Sequence, residues 1–238
     1  MSMFALFGSM FLSERSTQEE RIDLPNRAES ETVAEFRELD RFNRFFRFDL
    51  VFESELPKWL GEDHCARLEI LDVGAGTGLL GKRLSEFARR RGWEWRFTNL
   101  DANPLGLRDG GAPNPVVASA LNLPFPDGEF DLVVASQMTH HLSDAQVVTH
   151  WREAWRVTRD GLFISDLHRN AWFYVTLWLT MLALRSNRSL RKDGLISVKR
   201  GFRRPEWREM AKQAEIPQAK IWLFFGTRIV LQARKCSG

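Results

Sequence analysis

The clearest indication of the fold is the segment Leu68-Glu-Ile-Leu-Asp-Val-Gly-Ala-Gly-Thr-Gly-Leu-Leu80. Ile70, Leu71 and Val73 are typical of a buried strand, and three glycines follow at every second position. Glycine lets the backbone turn and approach a ligand, because no Cβ stands in the way. Leu79 begins a predicted helix whose first amides face the turn. A strand, a glycine turn and a helix in this order predict a binding site for a nucleoside cofactor.

The glycine spacing separates two classes of nucleoside cofactor. Dinucleotide-binding turns follow Gly-x-Gly-x-x-Gly and require glycine at the position that Leu79 occupies here. This chain instead has Asp72-x-Gly74-x-Gly76-x-Gly78. That pattern resembles the first motif of class I S-adenosylmethionine-dependent methyltransferases.

An acidic residue also ends the next predicted strand. The strand covers Trp95–Leu100, and Asp101 follows it. A carboxylate at this position can accept hydrogen bonds from both ribose hydroxyls of a nucleoside. An isolated Asp before Asn103-Pro104 is otherwise typical of a helix N-cap. The position of Asp101 after the glycine turn favours ribose binding.

Two later stretches extend the resemblance. Leu123-Pro-Phe-Pro-Asp-Gly-Glu-Phe-Asp-Leu-Val-Val134 and His140-His-Leu142 are similar to the third and fourth motifs of the methyltransferases of ubiquinone and menaquinone biosynthesis. The similarity covers roughly residues 66–167. In that family an acidic residue before the Ala of the third motif holds the adenine amino group, whereas this chain has Ser119 there. One adenine contact is therefore weaker, and the backbone after Ser119 has a larger share of the binding.

The resemblance implies an α/β fold with a doubly wound, mostly parallel seven-stranded sheet, and S-adenosylmethionine as cofactor. The implied cofactor-binding residues are Asp72, Gly74, Ala75, Gly76, Thr77, Gly78, Asp101, Ala102, Ser119, Ala120, Leu121, Ser136 and Gln137. Methyl transfer can also require a base that removes a proton from the acceptor. Three histidines lie near the predicted rim of the sheet, and His141 and His168 are the predicted catalytic residues. No metal site is predicted.

The chain divides into a helical N-terminal extension, residues 1–64, and a cofactor-binding domain, residues 65–238. Glu31–Leu60 spaces its apolar residues at helical intervals with arginines between them, which predicts an amphipathic helix with a basic face. Such a helix can cap the core, line a substrate pocket or lie on a membrane surface. The apolar segment Met3–Leu12 lacks the flanking residues of a signal peptide, and none is expected.

The uncharged segment Ala171–Leu184 follows the fifth predicted strand. It is shorter than the ~20 residues that span a bilayer. We predict a lid insertion at about residues 170–203 that walls the substrate pocket and ends in basic residues, with a core helix as the alternative. Near the C-terminus, Lys220–Phe225 and Arg228–Ala233 predict an antiparallel hairpin that closes the sheet.

Composition and charge limit the partners. The chain is 44% hydrophobic and 27% charged, which is typical of a globular protein. Its net charge of +3 allows a nucleic-acid partner but does not require one. Its basic cluster, Lys199, Arg200, Arg203 and Arg204, has no aromatic platform for bases beside it. Cys65 and Cys236 lack metal or redox spacing. A cytoplasmic protein is expected, with peripheral membrane contact left open and no oligomeric state predicted.

The expected function is methylation of an O or C atom of a hydrophobic small molecule, such as a quinone precursor, polyketide, phenol or lipid-like compound. Ser136-Gln-Met-Thr139 lacks the Pro-Pro-aromatic pattern of amine methylases, and neither cysteine lies where cytosine C5 chemistry needs one. Two alternatives stay open. One is an RNA or protein methyltransferase, and the other is a non-catalytic protein that binds the cofactor or a lipid at a membrane surface.

Overall fold

The structure is a computed structural model that describes residues 12–24, 26–186 and 188–235. Cys236 and all of the apolar N-terminal segment except Leu12 lie outside the described residues. The predictions for these two features therefore stay predictions.

A seven-stranded sheet forms the centre of the fold. Its strands are β1 (Arg67–Val73), β2 (Glu94–Asp101), β3 (Pro115–Val117), β4 (Phe130–Ser136), β5 (Thr158–Leu167), β6 (Lys220–Phe224) and β7 (Arg228–Arg234). The order across the sheet is β3-β2-β1-β4-β5-β7-β6, with β1 to β5 parallel and β7 antiparallel to both neighbours. The predicted fold class and the closing hairpin are confirmed. The strand order reverses between β1 and β4, which is where such sheets bind ligands.

Helices cover both faces of the sheet. They are α1 (Glu29–Phe45), α2 (Leu50–Leu60), α3 (Leu79–Arg90), α4 (Pro104–Gly110), α5 (Asp144–Val157), α6 (Ala171–Ala183), α7 (Arg188–Arg200) and α8 (Arg204–Gln213). One face buries Trp151 of α5 edge-on against Trp207 of α8, with ring centroids 5.2 Å apart. The other face buries Phe52 of α2 against Phe163 of β5. Apolar contacts on both faces stabilise the parallel strands.

The N-terminal extension differs in two ways from the helical extension that the sequence predicts. Glu31–Leu60 is interrupted after α1, where Arg47 adopts a positive φ of 50°, and the chain restarts as α2. The residues from 12 to 20 are not helical, and only a short 3-10 turn, Arg21–Asp23, precedes α1. Two arginines hold the segment from 12 to 20 in its non-helical conformation. Arg15 donates to the carbonyls of His140 and Leu142. Arg200 donates to the carbonyl of Gln18. These partners are distant in sequence and outweigh local helical preference.

The region predicted as a lid consists of α6 and α7, which pack against each other. Phe173, Leu177 and Met181 form the buried face of α6, and they meet Val198 of α7 in a small apolar cluster. Within the described ranges, no helix combines the length and apolar character needed to cross a bilayer.

Candidate functional site

A cavity of about 410 Å³ lies beyond the carboxyl ends of the central strands. Ten of the predicted cofactor-binding residues line it: Asp72, Gly74, Ala75, Gly76, Thr77, Asp101, Ala102, Ala120, Ser136 and Gln137. Gly78, Ser119 and Leu121, also predicted, do not line it. The sheet topology thus brings most of the sequence motifs together on one wall.

Asp101 organises the glycine turn. One of its carboxylate oxygens accepts a hydrogen bond from the amide of Gly76 at 2.7 Å, and the other accepts one from the amide of Asn103 at 2.8 Å. The amide of Gly74 donates to the carbonyl of Leu100 at 2.8 Å. The end of β2 therefore holds the turn after β1 in place, and Asp101 faces the cavity from this position.

Two glycines of α4 permit close packing that the sequence analysis did not anticipate. A Cβ on Gly106 would lie 2.7 Å from the carbonyl oxygen of Gly76, and one on Gly110 would overlap the backbone of Thr77. Real Cβ atoms do not come so close to other heavy atoms at either position. Helix α4 can rest directly on the glycine turn because both positions lack a side chain. The spacing of the two glycines, four residues apart on one helical face, was the available signal.

Helix α1 also packs on the glycine turn, next to α4. Asp40 accepts a hydrogen bond from the Thr77 hydroxyl at 2.8 Å, and Phe36 lies over Gly76. Burial raises the pKa of Asp40. Because Phe36, Asp40 and Phe42 line the cavity, the amphipathic segment at α1 is a cap over the site rather than a separate element.

Asp72 is a buried carboxylate at the end of β1. Burial, with a further contribution from the nearby charge of Asp101, raises the pKa of Asp72 to about 8. One of its carboxylate oxygens is buried and has no hydrogen-bond partner among the described residues. An ionised carboxylate in such surroundings is costly unless a positive charge lies beside it.

We expect Asp72→Asn to stabilise the cofactor-free protein increasingly as the pH rises from about 4 to 8. In the unfolded chain Asp72 loses its proton near pH 4, whereas the folded pKa is about 8. Between these values the folded state binds the extra proton, so wild-type stability falls as the pH rises. The variant lacks this penalty, so at pH 8 its free energy of unfolding should exceed that of the wild type by on the order of a few kcal/mol.

Urea unfolding of both proteins at several pH values measures this difference. Asp127→Asn is the matched control, because the Asp127 side chain is 81% exposed. A stability difference that does not change with pH for Asp72→Asn would contradict the expected result.

His140 lies between two carboxylates. Its Nδ1 atom is 2.6 Å from an Asp166 oxygen, and its Nε2 atom is 3.4 Å from Glu20 Oε1. Burial alone lowers the pKa of His140, but Asp166 and Glu20 outweigh burial and raise it to about 9. The ring is therefore a buried cation at neutral pH, which is unsuited to accept a proton.

His141 also has a carboxylate partner, and it faces the cavity. Its Nδ1 atom lies 2.8 Å from a carboxylate oxygen of Asp23. A carboxylate only accepts hydrogen bonds, so this contact selects the tautomer with the proton on Nδ1, in which Nε2 is the nitrogen with an available lone pair. This arrangement is that of a base oriented by an acidic residue.

The structure does not bring His168 to the cavity. Its Nδ1 atom lies 3.0 Å from the carbonyl oxygen of Gly226 and 2.9 Å from the side-chain nitrogen of Asn170, and the residue is not part of the cavity lining. Burial lowers the pKa of His168. The antiparallel hairpin covers this ring, a contact that its position after β5 did not indicate.

Glu20 and Asp23 are site residues that sequence reasoning missed. Both line the cavity, although they precede the glycine turn by some fifty residues in the chain. Arg200 of α7 fixes their segment, because it donates to Asp23 at 2.9 Å and to the carbonyls of both histidines. The local pattern held no signal for this, since ordinary surface segments also contain acidic residues.

Glu20, His140 and His141 offer ligand atoms that all lie within 4.8 Å of one another, a spacing that could hold a metal ion. No metal site is predicted from the sequence. In the hydrogen-bonded arrangement described above His140 is protonated, and Arg200 carries a positive charge next to Asp23. A metal ion bound here would have to displace the proton of His140.

Comparisons with known proteins agree with this geometry. Residues 71–165 match the family described as a methyltransferase domain. An uncharacterised methyltransferase from Mycobacterium sp. strain JLS is 35% identical over 99 residues, which are 39% of this chain and 35% of that protein. The matched part thus spans about a third of the curated relative.

Solved structures share the fold at low sequence identity. An S-adenosylmethionine-dependent methyltransferase from Aquifex aeolicus has a TM-score of 0.57 at 16% identity, with 85% of this chain and 97% of that chain covered. Magnesium protoporphyrin IX methyltransferase from Synechocystis PCC 6803 has a TM-score of 0.53 at 12% identity, with 91% and 92% covered. Residues 71–165 thus match a methyltransferase domain, and the chain shares its fold with class I S-adenosylmethionine-dependent methyltransferases. The resemblance stated from the sequence motifs is confirmed.

Proposed function

We propose that this protein transfers a methyl group from S-adenosylmethionine to an oxygen or carbon atom of a hydrophobic small molecule. The observation that carries the proposal is the composition of one cavity. The glycine turn and Asp101 form one wall, while Phe42, Phe48 and Phe173 line the remainder together with His141. Cofactor-binding groups, an apolar surface and a candidate base therefore share one space.

The residues present fit the cofactor. S-adenosylmethionine supplies a methyl group that its sulfonium has already activated for transfer. The sulfonium and the amino group of the cofactor are positively charged, and the buried, unpartnered carboxylate oxygen of Asp72 is complementary to such charge. Asp101 would hold the ribose hydroxyls, and the glycine turn would leave room for the nucleoside.

His141 is the proposed base. Asp23 holds its Nδ1 proton, so Nε2 is the atom that would accept a proton from an acceptor hydroxyl or activated carbon. His140 is charged, and His168 lies outside the cavity lining, so neither competes for this role. Helix α1 and the segment that contains Asp23 cover the cavity and would limit the access of water during transfer.

The contacts of the basic cluster give RNA little support as the acceptor. Three of the four residues in the predicted basic cluster donate to backbone carbonyls of the protein itself. Arg200 binds the carbonyls of the two cavity histidines, Arg203 binds that of Leu12, and Arg204 binds that of Ile221. These contacts hold the fold together, and they occupy donors that a phosphate would otherwise use. A protein acceptor would need access through the same covered cavity.

Calorimetric titration with S-adenosylmethionine, S-adenosylhomocysteine and NAD tests the cofactor. We expect the two sulfur nucleosides to bind and NAD not to bind. Transfer of a labelled methyl group to phenols, quinone precursors and polyketides then tests the acceptor. Failure of both sulfur nucleosides to bind to the folded protein would refute the proposal. Binding without transfer to these acceptors, RNA or peptides would favour the non-catalytic alternative.

A further inference from the structure

Helix α6 exposes a continuous apolar stripe. Trp172 is 61% exposed, Leu179 is 50% exposed, and the remaining members Val175, Trp178 and Leu182 are also exposed. At 100° per residue, these five positions fall within an arc of about 120°. The opposite side of the same helix is buried against α7. The helix therefore has two apolar faces, and only one of them is covered by the described chain.

Basic residues follow the stripe directly. Arg185, Arg188 and Lys192 are exposed where α6 ends and α7 begins. Tryptophan is favoured at the boundary between headgroups and acyl chains, and arginine and lysine are attracted to anionic headgroups. An apolar stripe with two tryptophans beside a basic cluster is thus complementary to an anionic bilayer in both polarity and charge.

The same side of the molecule carries a second cavity of about 200 Å³. Thr176 and Thr180, next to the stripe on α6, line it, as does Phe225, which is 74% exposed. Phe48, Phe173 and Leu177 line both this cavity and the larger one. Among the described residues, these three side chains alone belong to both linings, so the second cavity adjoins the candidate active site across them.

We propose that the stripe on α6 docks on the interface of a membrane that contains anionic lipids, and that the second cavity then faces the bilayer from which a lipophilic acceptor enters. The entry of an acceptor rests on the proposed function, whereas docking can be measured without methyl transfer. The 13-residue helix α6 lies along the interface rather than across the bilayer.

Cosedimentation of the full chain with lipid vesicles tests docking. The vesicles contain phosphatidylcholine either alone or with about one-third phosphatidylglycerol. We expect binding to the anionic vesicles, weaker binding to the neutral ones, and a loss of binding as salt is raised. The double variant Trp172→Ser, Trp178→Ser should reduce partitioning by roughly tenfold or more, because two interfacial side chains are removed.

Charge reversal tests the basic cluster against a matched pair. Arg185→Glu with Arg188→Glu should weaken binding to anionic vesicles, while Arg89→Glu with Arg90→Glu, two exposed arginines at the end of α3, should not. Melting temperatures and S-adenosylhomocysteine titration show that each variant is folded. Lost nucleoside binding with intact vesicle binding would refute the proposed function alone.

Several results would overturn docking. One is the absence of wild-type binding to anionic vesicles, and another is full binding by the double tryptophan variant. A third is equal binding to neutral and anionic vesicles. Light scattering is the remaining control, because a dimer that the tryptophan substitutions dissociate would assign the stripe to a second copy of this chain.

Discussion

His141→Ala is expected to lower the turnover number by roughly 10²- to 10⁴-fold, the usual contribution of a general base. The reason is that His141 faces the cavity with its Nδ1 atom held by Asp23, which leaves Nε2 for the acceptor proton. Affinity for S-adenosylhomocysteine should change by less than about threefold, because a base acts on the acceptor and not on the cofactor. Single-turnover methyl transfer and calorimetric titration measure the two quantities.

Three further substitutions test whether His141, rather than another histidine, is the base. Asp23→Asn should also lower turnover, since an amide no longer fixes the Nδ1 proton as a carboxylate does. His64→Ala is the matched control, because His64 pairs with Asp160 at the opposite end of the sheet and should retain activity. A large loss in His168→Ala with full activity in His141→Ala would transfer the role to His168 and contradict the proposed base.

Asp101→Ala is expected to weaken S-adenosylmethionine binding by roughly 10- to 100-fold, which corresponds to about 1 to 3 kcal/mol. Two effects combine in this loss. The ribose hydroxyls lose their acceptor, and the amides of Gly76 and Asn103 lose the carboxylate that fixes the glycine turn. Calorimetric titration gives the change in affinity.

Asp131→Ala separates the site effect from general destabilisation. The Asp131 carboxylate accepts a hydrogen bond from the amide of Glu69 at 2.7 Å, so it also joins two neighbouring strands. It does so at the end of the sheet that lies away from the cavity. Asp131→Ala should therefore lower stability without changing cofactor affinity. If both variants lose affinity equally, the ribose assignment for Asp101 is wrong.

The cavity wall formed by the glycine turn and Asp101 could be predicted from the sequence, because each of its parts lies within a short stretch of the chain. An apolar strand, an acidic residue and glycines at fixed spacing all lie within Leu68–Leu80, and Asp101 directly ends the following strand. Parallel strands align their carboxyl ends, so these short stretches must meet at one edge of the sheet. The absence of Gly78, Ser119 and Leu121 from the cavity lining shows the limit of this logic, since a motif does not specify which way each residue faces.

The part of the cavity around His141 could not be predicted from short stretches in this way. The sequence pattern ranked His141 and His168 together, and tertiary contacts separate them, because the hairpin at Gly226 covers His168 while His141 faces the cavity beside Asp23. The sequence likewise placed Arg200 in a basic cluster, whereas the fold uses this residue to hold the N-terminal segment over the histidines. In each instance the deciding contact joins residues far apart in the chain.

Short stretches of the sequence were enough to predict the class of the fold, the position of the glycine turn and two carboxylates, Asp72 and Asp101, that line the cavity. These features depend on periodicity, glycine geometry and strand ends, which are properties of short stretches. Three other features became visible with the folded chain: Asp23 lies against His141, Asp166 and Glu20 keep His140 charged, and α6 has a second apolar face that the described chain leaves uncovered. Burial and charge at a residue depend on neighbours brought from distant elements, and no local pattern specifies those neighbours.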